Sequence, residues 1–291
     1  MLICSLIAPP GGLSVDMAGN LFSAWGGREL TWLHPREAAE FEIAAMPENR
    51  WQVWQDLQEM HVDLVVQPKA GRRKKLLLAD MDSTMIQQEC IDELADLAGV
   101  GTQVKGITAK AMNGELDFEQ ALRARVALLE GQPASIIDQA LKTRIFFTAG
   151  GAELLATMKA NGAYTALVSG GFTAFTQPVS QHLGFHEHHA NQLLVDRGVV
   201  TGQVSDPILG QQAKVEALER LTAQLSITAQ DVLAVGDGAN DLGMLKRAGS
   251  GVALHAKPSV AAQCDIRINH GDLTALLFLQ GYPRSAFRTA V

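Results

Sequence analysis

The sequence is poor in cysteine, has no long apolar run and carries no excess of positive charge. Its three cysteines, Cys4, Cys90 and Cys264, are widely spaced and form no CxxC pair, which argues against a disulfide framework or a zinc ribbon. No apolar stretch reaches the roughly 20 residues that cross a bilayer. The formal net charge of -7 opposes attraction to a polyanion. We therefore expect a soluble, cytoplasmic protein that binds neither nucleic acid nor a membrane.

The chain contains enough apolar sequence for one large domain or two smaller ones, with 291 residues of which 47% are hydrophobic. A basic run at 71–75 precedes an apolar segment, and we place a linker there. Before this linker the pattern predicts strands at 2–8, 29–33 and 62–67 and a helix at 48–60. Residues 1–70 are therefore predicted to form a small α/β domain, and residues 76–291 a larger one.

The larger part alternates short apolar runs with longer helical patterns, which is typical of a parallel sheet covered on both faces. Its predicted strands lie at 76–79, 164–168, 232–235, 251–254 and 265–268. The segment at about 88–145 breaks this alternation because its apolar residues recur at helical spacing, and we interpret it as an inserted helical cap. Val195 to Val204 is predicted to form a β-hairpin. The predicted fold is thus α/β, with a Rossmann-like parallel sheet.

Two carboxylates directly follow the first strand of this predicted sheet. Asp80 and Asp82 come after the apolar residues 76–79. Side chains two apart on an extended chain point to the same side, about 6.6 Å along the strand, so these two can converge on one ligand. The alternative is a strand-ending turn in which Asp82 and Ser83 cap backbone groups.

A second acidic cluster repeats this design. The apolar run 232–235 is followed by Gly236-Asp237-Gly238-Ala239-Asn240-Asp241. Carboxylates from two strand ends suit Mg²⁺, a hard cation that prefers oxygen ligands. Taken alone, this segment would equally fit a helix-capping loop. Two such strand ends in one domain favour a magnesium site.

Between these clusters, the predicted strand 164–168 ends at Ser169-Gly170 and a helix follows. A hydroxyl and free amides at a helix N-terminus form an anion site. No histidine lies near Ser169 in sequence to activate it, so we favour phosphate binding over a nucleophilic role. Lys214 begins a helix predicted at 213–221, and by itself it is typical of a surface lysine.

Four histidines, His182, His186, His188 and His189, lie close together in the sequence. Histidine clusters bind metal ions in many proteins. No cysteine or carboxylate pattern completes a ligand set here, so we interpret this segment as a solvated loop.

Taken together, these motifs resemble those of the haloacid dehalogenase phosphatases, in the same order. Within that superfamily, residues 76–281 are similar to the phosphoserine phosphatase family. The motifs that carry the resemblance are Asp80-Met81-Asp82-Ser83-Thr84, Glu89, Lys110-Ala111-Met112, Phe118-Glu119-Gln120-Ala121-Leu122, Arg125-Val126, Ser169-Gly170-Gly171-Phe172, Lys214 and Gly236-Asp237-Gly238-Ala239-Asn240-Asp241. Met81 is a mild departure, because the family more often has phenylalanine there.

The resemblance implies a phosphoric monoester hydrolase that converts O-phospho-L-serine to serine and phosphate, the last step of serine biosynthesis. It implies Asp80 as the nucleophile that forms an aspartyl-phosphate, and Asp82 as the general acid and base. It also implies Mg²⁺ as the cofactor, held by Asp80, the backbone carbonyl of Asp82 and Asp237, with Asp241 in support.

The resemblance further assigns residues to the two ends of the substrate. The phosphoryl group is expected to meet Lys214, Ser169, the Gly170 amide and Asn240. Glu89 is the expected partner of the substrate ammonium and Arg125 that of its carboxylate, with Met112 and Phe118 as apolar walls. Without the resemblance, Glu89 is typical of a charge at a helix start and Arg125 of a surface arginine, like its neighbour Arg123.

Two alternatives to this function stay open at this stage. The same scaffold could act on another small phosphomonoester, such as phosphohomoserine or phosphoethanolamine. The small N-terminal domain could instead bind an amino acid as a regulator, as the ACT-like domains attached to some relatives do. Monomer and homodimer are both compatible with the sequence.

Overall fold

The N-terminal part of the chain forms a four-stranded antiparallel sheet with two helices. The computed structural model describes residues 1–112 and 115–289. Its first elements are β1 (Leu2–Ile7), α1 (Val15–Ala24), β2 (Arg28–His34), β3 (Ala38–Ile43), α2 (Arg50–Glu59) and β4 (Asp63–Pro68). The strand order β2-β3-β1-β4 is that of a ferredoxin-like split βαβ unit. The predicted strands and helix of this part are all present, whereas α1 and β3 were not predicted.

Alternation along β1 gives this sheet two buried faces. Cys4 and Leu6 pack with Phe41 beneath the two helices. Ile7 joins the core of the larger part, together with Val65 of β4. Because successive side chains of a strand point to opposite faces, the sheet is held between its own helices and the rest of the protein.

The larger part is built on a six-stranded parallel sheet. The remaining strands are β5 (Leu76–Ala79), β6 (Tyr164–Phe172), β7 (Glu187–Asn191), β8 (Leu193–Asp196), β9 (Val199–Val204), β10 (Val232–Gly236), β11 (Ser250–Leu254) and β12 (Ile266–Ile268). The sheet order is β12-β11-β10-β5-β6-β7. In the central strand β5, Leu76 and Leu78 pack on one face and Leu77 on the other. This double burial explains its continuous apolar sequence, and the predicted parallel sheet is confirmed.

Helices cover both faces of this sheet and form the cap. They are α3 (Cys90–Leu97), α4 (Gly101–Met112), α5 (Phe118–Ala127), α6 (Ser135–Thr143), α7 (Gly151–Ala160), α8 (Thr173–Leu183), α9 (Gln211–Gln224), α10 (Leu242–Arg247), α11 (Pro258–Ala261) and α12 (Ala275–Leu279), with one-turn helices at Ala229–Asp231, Ala239–Asp241 and Arg284–Ala286. Helices α3 to α6 lie between β5 and β6, within the segment predicted as the cap. In the described ranges, no helix is long and apolar enough to cross a membrane.

A capping box and a hairpin support the cap. Asp117 Oδ1 accepts from the Gln120 amide at 2.8 Å and the Gln120 side chain accepts from the Asp117 amide at 3.1 Å, which fixes where α5 begins. Strands β8 and β9 form the predicted hairpin. The Gly131 amide donates to Val200 O at 3.0 Å, so the hairpin lies directly against the cap.

The histidine-rich segment is not the predicted solvated loop. His182 lies on α8 and stacks on Phe147, with ring centroids 4.2 Å apart. His188 and His189 lie on β7, which is the edge strand of the sheet. The prediction was wrong because an edge strand needs few apolar residues, and this one therefore lacks the pattern of a buried strand.

The N-terminal sheet is joined to the larger part through a buried carboxylate. Asp63 at the start of β4 accepts hydrogen bonds from the amides of Asn269, His270 and Gly271 at 2.8, 3.0 and 2.8 Å. Its side chain is fully buried. These three bonds fix the edge of the N-terminal sheet against the segment that follows β12.

Candidate active site

Three carboxylates from two neighbouring strand ends meet at the carboxyl edge of the parallel sheet. Asp80 follows β5, and Asp237 and Asp241 follow β10, which pairs with β5 in parallel. One oxygen of each carboxylate lies within 4.8 Å of the other two. Ligands bind at this edge in open α/β sheets. The structure thus brings together the two acidic clusters that the sequence places far apart.

Lys214 reaches this cluster from α9. Its Nζ lies 2.5 Å from Asp80 Oδ1 and 2.5 Å from Asp241 Oδ1. The lysine side chain is 1% exposed, so Lys214 is not the surface lysine that its local sequence alone suggests. A buried ammonium between two carboxylates is a fixed positive charge beside Asp80.

Asp82 lies in an irregular turn at Met81–Met85 that follows β5. Ser83 in this turn has a left-handed φ of 54°, which turns the chain sharply away from the sheet. The Cys90 amide donates to Asp82 Oδ1 at 2.8 Å, and Ser169 Oγ donates to Asp82 Oδ2 at 3.0 Å. Both oxygens of Asp82 are therefore oriented by the protein.

Ser169 and Gly170 do not lie at the helix N-terminus where they were predicted. Strand β6 continues to Phe172, and α8 begins only at Thr173. Val168 pairs with His189 and Phe172 with Asn191, so residues 169–171 bulge against a single residue of β7. Ser169 Oγ accepts from the Gly171 amide at 2.8 Å, which orients the hydroxyl toward Asp82.

Two glycines allow this close packing. A Cβ at Gly171 would lie 2.8 Å from Asp82 Oδ2, too close for a normal contact. A Cβ at Gly236 would overlap the carboxylate of Asp241. The absence of side chains at these two positions therefore lets Asp82 lie against the backbone of β6 and Asp241 against that of β10.

The charges of the cluster favour a bound cation. Burial and the negative charge of Asp241 raise the pKa of Asp80 well above its usual value. Burial and Asp241 also raise the pKa of Asp237 to about 6. The pKa of Lys214, which burial alone would lower, is raised by Asp80 and Asp241, so the ammonium keeps its charge. One ammonium does not balance three carboxylates, and this donor set of hard oxygens fits Mg²⁺.

Of the predicted cap residues, Glu89 lies beside the irregular turn Met81–Met85. Its Oε1 accepts from Ser83 Oγ at 2.8 Å. Desolvation of the carboxyl and the negative charge of Asp82 raise the pKa of Glu89 to about 7. A positively charged neighbour would therefore stabilise the ionised form of Glu89.

Arg125 and Phe118 lie on α5. Arg125 Nε donates to Ala121 O at 3.2 Å, and the charges of Asp92 and Glu89 favour its charged form, although burial lowers its pKa. The Phe118 ring lies close to Gly170 and Gly210 on the core. The cap therefore presents a cation and an aromatic ring above the core cluster. The side chain of Met112 lies outside the part of the chain that the structure describes.

Asn240 belongs to the one-turn helix that follows β10. Its side chain packs on Gly238, where a Cβ would overlap the Asn240 amide oxygen. The Gly238 amide donates to Asp241 Oδ2 at 3.0 Å. This loop thus holds Asn240 next to the acidic cluster.

The sequence did not assign roles to two further polar groups at the site. Thr84, which is fully buried, donates from Oγ1 to Asp237 Oδ1 at 3.3 Å. Asn191 on β7 bonds to Gly170 and Leu209. Thr84 lies within the motif that follows β5, which is a usable signal. Nothing in the local sequence of Asn191 marks it.

Comparison with known proteins identifies the class to which this fold and site belong. The family model of haloacid dehalogenase-like hydrolases matches residues 77–246. The chain belongs to this family.

Two of the similar proteins are named phosphoserine phosphatases. The chain is 47% identical over 204 residues to a phosphoserine phosphatase of Haemophilus influenzae, an alignment covering 70% of this chain and 65% of that protein. It is 43% identical over 206 residues to a phosphoserine phosphatase of Methanocaldococcus jannaschii, covering 71% of this chain and 97% of that one. A haloacid dehalogenase family hydrolase from Salmonella enterica serovar Typhi superposes with a TM-score of 0.87 at 29% identity, covering 96% and 98% of the two chains.

Proposed function

We propose that this protein is a phosphoserine phosphatase, which hydrolyses O-phospho-L-serine to L-serine and phosphate as the last step of serine biosynthesis. The observation that carries this proposal is the buried Asp80–Lys214–Asp241 cluster with Asp82 beside it and with Glu89 and Arg125 of the cap nearby. The two relatives named above as phosphoserine phosphatases support the substrate.

The proposed reaction has two steps. In the first, a carboxylate oxygen of Asp80 bonds to phosphorus while the bond from phosphorus to the serine oxygen breaks, and Asp82 gives its proton to that oxygen. In the second, Asp82 takes a proton from water, whose oxygen attacks phosphorus and releases phosphate from Asp80. The hydrogen bonds from Cys90 and Ser169 support this role because they orient both oxygens of Asp82.

The proposed cofactor is Mg²⁺. Its ligands are Asp80, the backbone carbonyl of Asp82 and Asp237, and Asp241 supports the site through Lys214. When bound, Mg²⁺ offsets the repulsion between an anionic nucleophile and an anionic substrate. The unbalanced negative charge of the three carboxylates supports this assignment.

Groups from three parts of the core surround the proposed phosphoryl position. Lys214 offers a positive charge, and the Gly170 amide and Asn240 offer hydrogen-bond donors. Ser169, whose hydroxyl donates to Asp82 in this structure, turns that hydroxyl toward a phosphoryl oxygen when substrate binds. Charge in phosphoryl transfer is spread over the equatorial oxygens, so donors placed around them stabilise the transition state. None of these groups has to transfer a proton.

The serine part of the substrate is recognised by the cap in this proposal. Glu89 receives the ammonium, Arg125 the carboxylate, and Phe118 lines the space beside them. The raised pKa of Glu89 supports its assignment, because a carboxyl short of counter-charge gains from an ammonium partner.

We further propose that the chain consists of two domains joined by a short linker. Residues 1–70 form the small N-terminal domain, 71–75 the linker and 76–291 the phosphatase domain with its cap at about 88–145. The support is that β4 ends at Pro68 and β5 begins at Leu76. The protein is a monomer or homodimer of the cytoplasm, where its three buried, free cysteines suit a reducing compartment.

One observation favours a second, regulatory function for the N-terminal domain. A cavity of about 150 Å³ lies between the two domains and is lined by Glu37, His270 and Arg284. Glu37 Oε1 and an Arg284 amino nitrogen are 3.8 Å apart, which places opposite charges at one small cavity. A small amino acid carries the complementary pair of charges. Added serine or glycine should then change the rate at which the wild type hydrolyses O-phospho-L-serine. The same addition should leave the rate of Glu37→Gln unchanged.

The experiment that tests the main proposal is Mg²⁺-dependent phosphate release from a panel of phosphomonoesters. The panel contains O-phospho-L-serine, phosphohomoserine, phosphoethanolamine and p-nitrophenyl phosphate. The highest kcat/KM is expected for O-phospho-L-serine. A higher value for another substrate would keep the reaction class and replace the substrate.

A further inference from the structure

Asn191 lies at the end of β7 and is almost fully buried, with 2% of its surface exposed. Its Nδ2 donates to Gly170 O at 2.8 Å and to Leu209 O at 3.2 Å. Its Oδ1 accepts from the Leu209 amide at 2.7 Å. Both ends of the side-chain amide are thus used, and they join two segments that are far apart in sequence.

Each of these segments leads into the proposed phosphoryl position. Gly170 lies in the bulge of β6, directly after Ser169. Leu209 precedes Gly210, the N-cap residue of α9, and α9 carries Lys214. By joining these segments, Asn191 fixes the separation between the Gly170 amide of the first and Lys214 of the second.

The cap rests on the same two segments. A Cβ at Gly170 would lie 3.0 Å from the Phe118 ring, and a Cβ at Gly210 would lie 3.1 Å from it. The ring of Phe118 therefore covers Gly170, to which Asn191 is bonded, and Gly210, which directly follows the other bonded residue, Leu209. The side chain that fixes the two core segments also fixes the surface that the cap contacts.

We propose that Asn191 is a positioning residue that sets the distance between the Gly170 amide and Lys214. This inference rests on the proposed function, because it takes these two groups as partners of the phosphoryl group. Asn191 does not touch the substrate. It acts through the backbone of Gly170 and Leu209, and a displacement of catalytic groups by about 1 Å can cost on the order of 100-fold in rate.

The chemistry of the side chain explains why an amide is present here. Two carbonyl oxygens and one amide N–H face it, so the side chain must donate twice and accept once. An ionised aspartate of the same shape would accept only, and would face two carbonyls with negative charge. A serine is shorter and cannot bridge both segments.

The test compares Asn191→Asp and Asn191→Ser with a matched control, Thr165→Val. Thr165 is fully buried at the other end of β6, and its Oγ1 accepts from the His186 amide at 3.2 Å. The Thr165–His186 bond therefore joins β6 to the residue directly before β7 across 21 residues, as the Asn191–Gly170 bond joins β6 to β7. Thr165 lies at the end of β6 away from the acidic cluster. Binding of inorganic phosphate in the presence of Mg²⁺ is measured by calorimetry for the full-length proteins, with thermal unfolding to confirm folding.

We expect the Kd for phosphate to rise about 10- to 100-fold in both Asn191 variants and to change less than twofold in Thr165→Val. KM should rise with it, and kcat/KM should fall by the same factor for O-phospho-L-serine and p-nitrophenyl phosphate, because both share the phosphoryl group. A merely structural role would lower only the fraction of active protein, and so kcat alone.

Several results would overturn the proposal. They are an unchanged phosphate Kd in folded Asn191 variants, an equal weakening in Thr165→Val, a failure of both Asn191 variants to fold, and no phosphate binding by the wild type. A wild type that binds phosphate but releases none from O-phospho-L-serine would instead reject the proposed function, while the phosphate Kd of the variants would still decide the role of Asn191.

Discussion

The ammonium of Lys214 lies 2.5 Å from Oδ1 of Asp80, and the two side chains are 1% and 6% exposed. Because both groups are buried and water does not screen them, the ammonium of Lys214 and the carboxylate of Asp80 stabilise each other's charged form. The same ammonium is equally close to Asp241. Lys214 is therefore both the counter-charge of the proposed nucleophile and the group that ties α9 to the two acidic strand ends.

Replacing Lys214 by methionine should destabilise the protein and abolish turnover. The variant leaves the carboxylates of Asp80 and Asp241 buried without their partner, and breaking a buried ion pair typically costs about 3–5 kcal/mol. Urea unfolding without Mg²⁺ measures this loss. Lys246→Met is the matched control, because Lys246 is exposed and its ammonium, within residues 1–112 and 115–289, bonds to the neutral Gln263 and to no carboxylate. A loss below about 1 kcal/mol, as for a surface pair, would contradict the account.

The affinity for O-phospho-L-serine should depend on pH through Glu89, whose pKa is raised to about 7. Below this pH the carboxyl is protonated and cannot attract the substrate ammonium. KM for O-phospho-L-serine, divided by KM for p-nitrophenyl phosphate, should therefore fall as the pH rises from 6 to 8. Because both substrates carry a phosphate monoester, the ratio cancels most of the effect of phosphate ionisation, whose pKa is about 6 in phosphoserine. Glu89→Gln should make the ratio independent of pH, and a flat ratio in the wild type would reject this role.

Replacing Arg125 by alanine should raise KM for O-phospho-L-serine but not KM for p-nitrophenyl phosphate. Hydrogen bonds to charged groups contribute about 1.5–3 kcal/mol, so KM for O-phospho-L-serine should rise roughly 10- to 100-fold. KM for p-nitrophenyl phosphate, which has no carboxylate, should change less than twofold. Arg123→Ala is the control, because exposed Arg123 pairs with Glu119 and Asp206. Equal losses on both substrates would show that Arg125 does not bind the carboxylate.

Adding one methyl group at Gly236 should weaken metal binding. The new Cβ would overlap the Asp241 carboxylate, which would move Asp241 away from Lys214 and Asp80. We expect the Mg²⁺ concentration for half-maximal activity to rise at least about tenfold, since disturbing the groups that support metal ligands typically costs about 10- to 100-fold in metal affinity. In the control Gly19→Ala, the methyl group meets nothing within 4 Å. An unchanged Mg²⁺ requirement in Gly236→Ala would mean that Asp241 does not support the site.

The sequence predicted the sheet and the meeting of its acidic ends for a general reason. Buried parallel strands have continuous apolar sequences, and their carboxyl ends share one edge, so Asp80 and Asp237 could be placed together without coordinates. The cap was predicted because helical spacing interrupts the alternation of strands and helices.

Other parts depend on contacts that no local pattern reveals. Ser169 was placed at a helix N-terminus because the bulge of β6 arises only from its pairing with β7. Strand β7 itself was missed because its histidines and Glu187 carry no apolar pattern. Burial of Lys214 and the three hydrogen bonds of Asn191 follow from the packing of distant segments, and neither side chain is distinguished by its neighbours in sequence.

The location of the phosphoryl group during turnover shows whether Asp80 is the nucleophile. Enzyme, Mg²⁺ and O-phospho-L-serine are mixed, quenched in acid within one turnover and analysed by peptide mass spectrometry. The account predicts a phosphoryl group on Asp80, and neither this group nor phosphate release in Asp80→Asn. Phosphate release by Asp80→Asn at a rate near that of the wild type, or a phosphoryl group on another residue, would contradict it.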